Sequence, residues 1–212
     1  MAVHHNHHAP ATPAGYPLAY RRILWIALVV NLAMFGIEIG AGLQSGSVAL
    51  LADAIDFFGD AVNYGLALAV LGAASIWGSR VAMLKSISMI GFGLFLLGRM
   101  AWSYAAGITP EPVTMGLIGL LALLANLFVA ALLYRYREGN ANMRAVWLCT
   151  RNDAASNIAV MLAALGVLGT HTAWPDWIVA LLMAGLALHS GALVWRQSRA
   201  ELAHGKPHEA HE

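Results

Sequence analysis

Long apolar stretches separated by short polar connections make up most of the chain. Six of the stretches approach the roughly 20 residues that a helix needs to cross a bilayer. Their limits lie at about 20–43, 48–74, 81–105, 113–134, 145–168 and 174–195. The connections are so short that consecutive helices have to run antiparallel. The pattern therefore predicts an all-α membrane protein with six transmembrane helices.

The composition excludes an ordinary soluble domain. Of the 212 residues, 59% are hydrophobic and 11% are charged, and the mean hydropathy is +0.66. Soluble domains have about 25% charged residues. The net charge of +1 gives no information about nucleic acid, but no basic cluster is present, so we expect no nucleic-acid partner. The single cysteine, Cys149, excludes an intramolecular disulfide.

Two polar tails flank the apolar part. Residues 1–17 are rich in histidine and proline and are expected to form a disordered tail. Residues 18–197 form the predicted six-helix domain, and residues 198–212 form a short polar tail that also contains histidines. Histidine-rich tails either collect metal ions or are inert extensions, and the sequence leaves both interpretations open.

The positive residues predict the orientation of the helices in the membrane. All Lys and Arg residues except Arg99 and Arg151 lie in or beside the tails and the second and fourth connections. The first, third and fifth connections contain none. We therefore expect both termini in the cytoplasm of a multi-pass protein of the inner cell membrane.

Glycines give a prediction about helix packing. Gly36 and Gly40 are four residues apart in the first apolar stretch, and Gly116 and Gly119 are three apart in the fourth. Small residues at such spacing let membrane helices approach closely, so both pairs are predicted contact sites.

Three carboxylates lie inside the second apolar stretch. Asp56 and Asp60 are four residues apart, so a helix places them on one face, and Asp53 precedes Asp56 by three residues. A charged residue at a bilayer centre costs about 2.5–3.5 kcal/mol on insertion scales, and acids inside a membrane therefore indicate function. The fifth stretch has a second pair at the same spacing, Cys149 and Asp153.

The two pairs suit one divalent cation. The fifth helix runs opposite to the second, so both pairs reach similar depth from opposite sides of the membrane. Two ligands from each helix can close a tetrahedron, which zinc favours, and a thiolate shifts the preference toward zinc or cadmium. Spacing alone leaves two other interpretations open: a cysteine that is only a small buried hydrophobe, and an aspartate that only bonds to another helix.

The same part of the chain resembles a known family. Asn31, Glu38 and Gly42, together with residues 45–60, resemble the first two helices of the cation diffusion facilitators. Residues 152–157 resemble the fifth helix of that family. The resemblance covers the whole six-helix part and implies a fold with both termini in the cytoplasm.

The resemblance also implies a site and an activity. In that family, one pair of side chains on the second helix and one on the fifth bind the transported ion. By position the ligands here are Asp56, Asp60, Cys149 and Asp153. The implied activity is export of a divalent metal in exchange for protons, through alternating access. Zinc is the first expected ion, then cadmium or cobalt; the metal is a substrate, no cofactor is expected, and lipid surrounds the protein.

Two features depart from the family's pattern. Cys149 stands where the family has a histidine, which puts the metal preference in question. The sequence has no counterpart of the family's cytoplasmic carboxyl-terminal domain, which mediates dimerisation. A homodimer therefore stays open.

Four further polar residues are expected to support the site by bonding between helices instead of binding the ion. They are Asp53, Asn31, Glu38 and Asn157. Arg151 lies off the face that holds the fifth-helix pair, and we hypothesise that it pairs with Glu38 or Asp53.

Two other classes of function are compatible with the residues. A non-transporting membrane sensor or accessory protein would bind metal without moving it. The second class is a membrane enzyme, such as an intramembrane aspartyl protease or a metal hydrolase, but no nucleophile motif and no histidine-rich metalloenzyme motif accompanies the carboxylates. Measurement of metal flux separates the carrier from the sensor.

Overall fold

The computed structural model describes residues 18–70, 78–138 and 141–204, and these ranges are helical apart from short turns. The helices are α1 (Leu18–Ser45), α2 (Val48–Val70), α3 (Gly78–Ala105), α4 (Pro112–Tyr134), α5 (Ala141–Thr170) and α6 (Trp174–His204). The described ranges contain no strand. The predicted all-α fold with six helices is confirmed.

The helix limits follow the apolar stretches to within a few residues, except at the end of α6. This helix continues to His204, beyond the apolar stretch that ends at Trp195. Apolarity predicts only the part of a helix inside the bilayer, and the residues that follow include good helix formers such as Arg199 and Ala200. The predicted end of the second helix at residue 74, like the tail 1–17, lies outside the described residues.

Five of the described helices are long and apolar enough to cross a membrane. The exception is α2, because each 18-residue stretch of its 23 residues contains Asp53, Asp56 and Asp60. A helix with three acids is stable in a bilayer only if neighbouring helices enclose those acids.

The fold encloses α2 in this way. It contacts all five other helices, and the most extensive helix pairs are α1 with α2, α3 with α6 and α4 with α5. Every residue of α2 from Val48 to Ile55 is buried. Further along, Tyr64 and Ala67 stay buried against α1 and α4, while Asn63 is partly exposed. The first half of α2 is therefore packed on all sides and the second half on one.

Close helix contacts occur at only some of the predicted glycines. A Cβ atom at Gly119 would lie 3.2 Å from the Met161 side chain, so α4 and α5 are close there. At Gly36 and Gly40 no described atom lies within 4 Å of such a Cβ atom, so the predicted contact is not formed. The tight position in α1 is Gly42, where the Leu51 side chain lies 2.9 Å from that point.

Three connections meet at one end of the bundle, which we call the loop end; it comprises residues 45–48, 105–112 and 170–174. The Glu111 N–H donates to the Ser45 carbonyl at 2.9 Å and so joins the first and second of these connections. The Glu111 carboxylate caps α4, and hydrogen bonds from Thr114 and the Val113 N–H hold its pKa below the usual range. The opposite end, where α1 begins and α6 ends, is the termini end.

We predict opposite effects for one substitution at two positions of α6. A Cβ atom at Gly191 would lie 3.2 Å from the Ser86 carbonyl oxygen and 2.9 Å from Ile90 of α3. Gly191→Ala should therefore destabilise the protein by about 1–3 kcal/mol through overpacking. Gly185→Ala, where no described atom is within 4 Å, should stabilise it by up to about 1 kcal/mol through helix propensity.

Thermal unfolding in detergent measures both variants. Equal melting temperatures for Gly191→Ala and Gly185→Ala would contradict the close packing of α3 on α6.

Candidate metal site

The central helix places two of the predicted ligands inside the membrane part. Asp56 and Asp60 lie about 12 Å and about 18 Å along α2 from its start at Val48. They are one turn apart, as the four-residue spacing predicts. Asp60 is buried, with 6% of its surface exposed, and Asp56 is partly buried.

The antiparallel helix α5 brings a third predicted ligand to the same place. The carboxyl group of Asp153 is hydrogen-bonded to that of Asp60, and it also lies close enough to Asp56 for the two side chains to interact electrostatically. The second oxygen of the Asp153 carboxyl group has no partner in the described part of the chain. Cys149 lies one turn before Asp153 on α5, but its side chain is outside the described residues.

These carboxylates line one cavity of about 140 Å³. The cavity lies between α2, α3, α5 and α6, and its other walls are mostly apolar. The polar groups that line it are Asp56, Asp60, Asn63, Ser88 and Asp153. Asn63 and Ser88 lie toward the termini end, so the cavity extends from the middle of the bundle in that direction.

The described carboxylates line a cavity but do not form a complete ligand shell. Within ranges 18–70, 78–138 and 141–204, no three described His, Cys, Asp or Glu side chains are grouped tightly enough to hold a metal ion. Three of the four predicted ligands are thus neighbours at this cavity, but these three carboxylates would have to move closer together to bind one ion.

A second polar cluster lies beside the cavity, toward the loop end. The Asn157 side chain of α5 donates to Asp53 of α2 at 2.7 Å and accepts from Asn126 of α4 at 2.9 Å. Glu38 of α1 is fully buried, and its carboxyl group lies against that of Asp53. The cluster thus joins polar groups from four helices.

The other predicted supporting residues have different outcomes. Asn31 is buried, but its amide donates to the Ala27 carbonyl of its own helix at 2.8 Å, and it bonds no other helix among the described residues. The Arg151 side chain lies outside the described residues, so its predicted pairing stays a hypothesis. Asp53, Glu38 and Asn157 lie next to one another, as an interhelical role requires.

Two polar residues of the membrane part were not predicted from the sequence. Asn126 is a single amide within the very apolar helix α4 and completes the second cluster. Asp176 lies in the first turn of α6 and accepts hydrogen bonds from the start of α2. In the sequence, Asp176 is visible only as an acid at the start of an apolar stretch, and this position does not show that it bonds to α2.

Comparison with known proteins gives a family match and several similar proteins. The chain matches the cation efflux transmembrane domain family over residues 24–203. It is similar to the zinc transporter ZitB of Pectobacterium atrosepticum, with 28% identity over 98% of this chain and 66% of the relative. It is also similar to a cadmium, cobalt and zinc/H(+)-K(+) antiporter of Bacillus velezensis, with 24% identity over 98% and 68%.

A third relative is the metal cation efflux system protein CzcD of Cupriavidus metallidurans, with 22% identity over 98% of this chain and 67% of the relative. The chain spans about two thirds of the length of these relatives.

The second cluster predicts different effects for two buried asparagines. Asn157→Ala removes the donor to Asp53 and the acceptor of Asn126, and should cost about 1–3 kcal/mol. This exceeds the average of about 0.6 kcal/mol for a membrane hydrogen bond, because a carboxylate loses its donor. Asn31→Ala loses one bond within α1 and should cost less than about 1 kcal/mol.

Unfolding of both variants in the same detergent measures the difference. If Asn31→Ala were as damaging as Asn157→Ala, the interhelical bonds would not be what stabilises this region.

Proposed function

The chain belongs to the cation efflux family, and we propose that it exports a divalent metal ion across the inner membrane. One observation supports this most directly: three carboxylates from two antiparallel helices line a single cavity in the middle of a membrane bundle. Members of the family are transporters and not enzymes.

The ligand types favour zinc as the transported ion. Asp56, Asp60 and Asp153 supply oxygen atoms, and Cys149 stands one turn from Asp153 on α5. A thiolate beside carboxylates suits zinc better than a hard ion such as magnesium. Cadmium and cobalt follow, and the names of two relatives mention the same three ions.

Protons are the proposed counter-ions. Metal ligation requires deprotonated groups, so protons and metal compete for the same atoms of the site. Carboxyl groups in a low-dielectric interior need either a proton or a cation, because unpaired buried charge is costly. Exchange then follows: a metal ion that enters the cavity releases protons, and protons that arrive from the other side displace the metal.

The packing supports an alternating-access cycle that starts from the state described here. The first half of α2 is packed on all sides toward the loop end, and the cavity extends toward the termini end. With the termini in the cytoplasm, as the positive residues predict, metal would enter the cavity from the cytoplasm. Release requires the packed loop end to separate.

The central test is metal uptake by proteoliposomes under a proton gradient. We expect wild-type protein to accumulate zinc and, more slowly, cadmium or cobalt, and to lose uptake when the gradient is dissipated. Asp60→Asn should reduce the rate by about tenfold or more, since removal of groups that only support a metal ligand already costs about 10–100-fold in affinity. Glu111→Gln removes an exposed acid at the loop end and should transport normally.

Two outcomes contradict the proposal in different ways. Tight metal binding without flux in folded wild-type protein would identify a membrane sensor instead. Flux that persists without a proton gradient would leave a carrier but exclude proton exchange.

The role of the cysteine is tested by the order of ions. Cys149→His restores the histidine that the family has at this position, so it should shift the preference from cadmium toward zinc and cobalt, because imidazole is a harder ligand than thiolate. Competition between these ions in the uptake assay measures the shift. An unchanged order would mean that the thiol does not bind the ion.

A further inference from the structure

The carboxylate of Asp176 ties α6 to the start of α2. Its Oδ1 atom accepts hydrogen bonds from the Ser47 hydroxyl at 2.6 Å and from the Ala49 N–H at 3.1 Å. Its Oδ2 atom accepts from the Val48 N–H at 2.9 Å. Asp176 has no exposed surface, so water does not compete for these bonds.

The physical role of this contact follows from helix chemistry. The first N–H groups of a helix have no partner within the helix, and the helix dipole favours a negative charge there. Ser47 caps α2 in the ordinary way, by accepting from the Leu50 N–H at 3.0 Å. Asp176 accepts from two more of these donors from a different helix, so separation of α6 from α2 would remove the protein acceptor of the Val48 and Ala49 N–H groups.

The contact fixes the helix that carries the site. Asp56 and Asp60 lie two and three turns along α2 from the bonded residues, so the position of the Val48 end sets their depth. Asp176 itself is held in place, because a Cβ atom at Gly166 of α5 would lie 2.8 Å from the neighbouring Pro175. The start of α6 is therefore packed between α5 and α2.

We propose that Asp176 is a positioning residue that latches the loop end closed while the cavity is open toward the termini end. The bonds from the start of α2 to Asp176 are intact in this state and break when the loop end opens. This inference deepens the proposed function, because it assigns the closed gate of the alternating-access cycle to one interhelical contact.

The direct test is amide hydrogen exchange of the purified protein, read by mass spectrometry. Asp176→Asn replaces one acceptor oxygen by a donor and should speed exchange in residues 48–55 by about tenfold, with little change in residues 61–68. Ser47→Ala removes one of the bonds to the carboxylate and also the cap at the Leu50 N–H, so it should speed exchange in the same segment as well. Glu111→Gln, a cap within a single helix, should leave residues 48–55 unchanged.

A transport measurement separates the latch from a simple loss of stability. Asp176→Asn weakens the closed loop end, so fewer molecules have the cavity open toward the termini end, and the KM for metal loaded there should rise several-fold. Loss of stability alone would lower the maximal rate through less active protein and leave KM unchanged.

Three results would overturn the latch. One is equal acceleration of exchange in residues 48–55 and 61–68, which would indicate general loosening. Another is no acceleration in Ser47→Ala and Asp176→Asn, and the third is an unchanged KM in a transporting variant. If Asp176→Asn does not fold, Asp176→Glu, which keeps the charge but displaces the carboxylate from the N–H groups of α2, decides the exchange test. Failure of the proposed function would appear separately, as wild-type protein without flux, and the exchange result does not depend on flux.

Discussion

Buried carboxylates in a membrane are the constraint on which this structure depends. A carboxylate deep in a bilayer is expensive unless a proton, a cation or a hydrogen-bond donor compensates its charge. The chain places Asp53, Asp56 and Asp60 on one helix, and that helix is the one enclosed by all five others. The remaining helices are apolar enough to face lipid, so they shield the central helix from it.

The three acids of α2 are compensated in different ways. Asp53 receives a fixed donor from Asn157, so its environment is that of a structural group. Asp56 and Asp60 instead face a cavity together with Asp153, where a proton or a metal cation can reach their carboxyl groups. This difference agrees with the two proposed roles, which are stability for the cluster near the loop end and ion exchange for the cavity. Asp176 of α6 has a different role. Its carboxylate accepts hydrogen bonds from backbone N–H groups at the start of α2.

Much of the fold and part of the site could be predicted from the sequence because they depend on local spacing. Helix number follows from apolar length, and the shared face of Asp56 and Asp60 follows from helical periodicity. The partners of Asn126 and Asp176 could not be predicted, because they depend on the axial register of helices that are distant in sequence. The same limitation explains Gly36: its spacing suits a helix contact, but the direction it faces in the bundle is set by packing.

Proton release on metal binding tests the central claim most directly, because it needs neither a membrane gradient nor a particular orientation. Calorimetric titration of zinc into the purified protein, in buffers with different enthalpies of ionisation, counts the protons released for each ion bound. We predict release of about one or more protons near neutral pH, tighter binding as the pH rises, and fewer protons released by Asp60→Asn. Zinc binding with the same heat in every buffer would contradict competition between protons and metal at the intramembrane carboxylates.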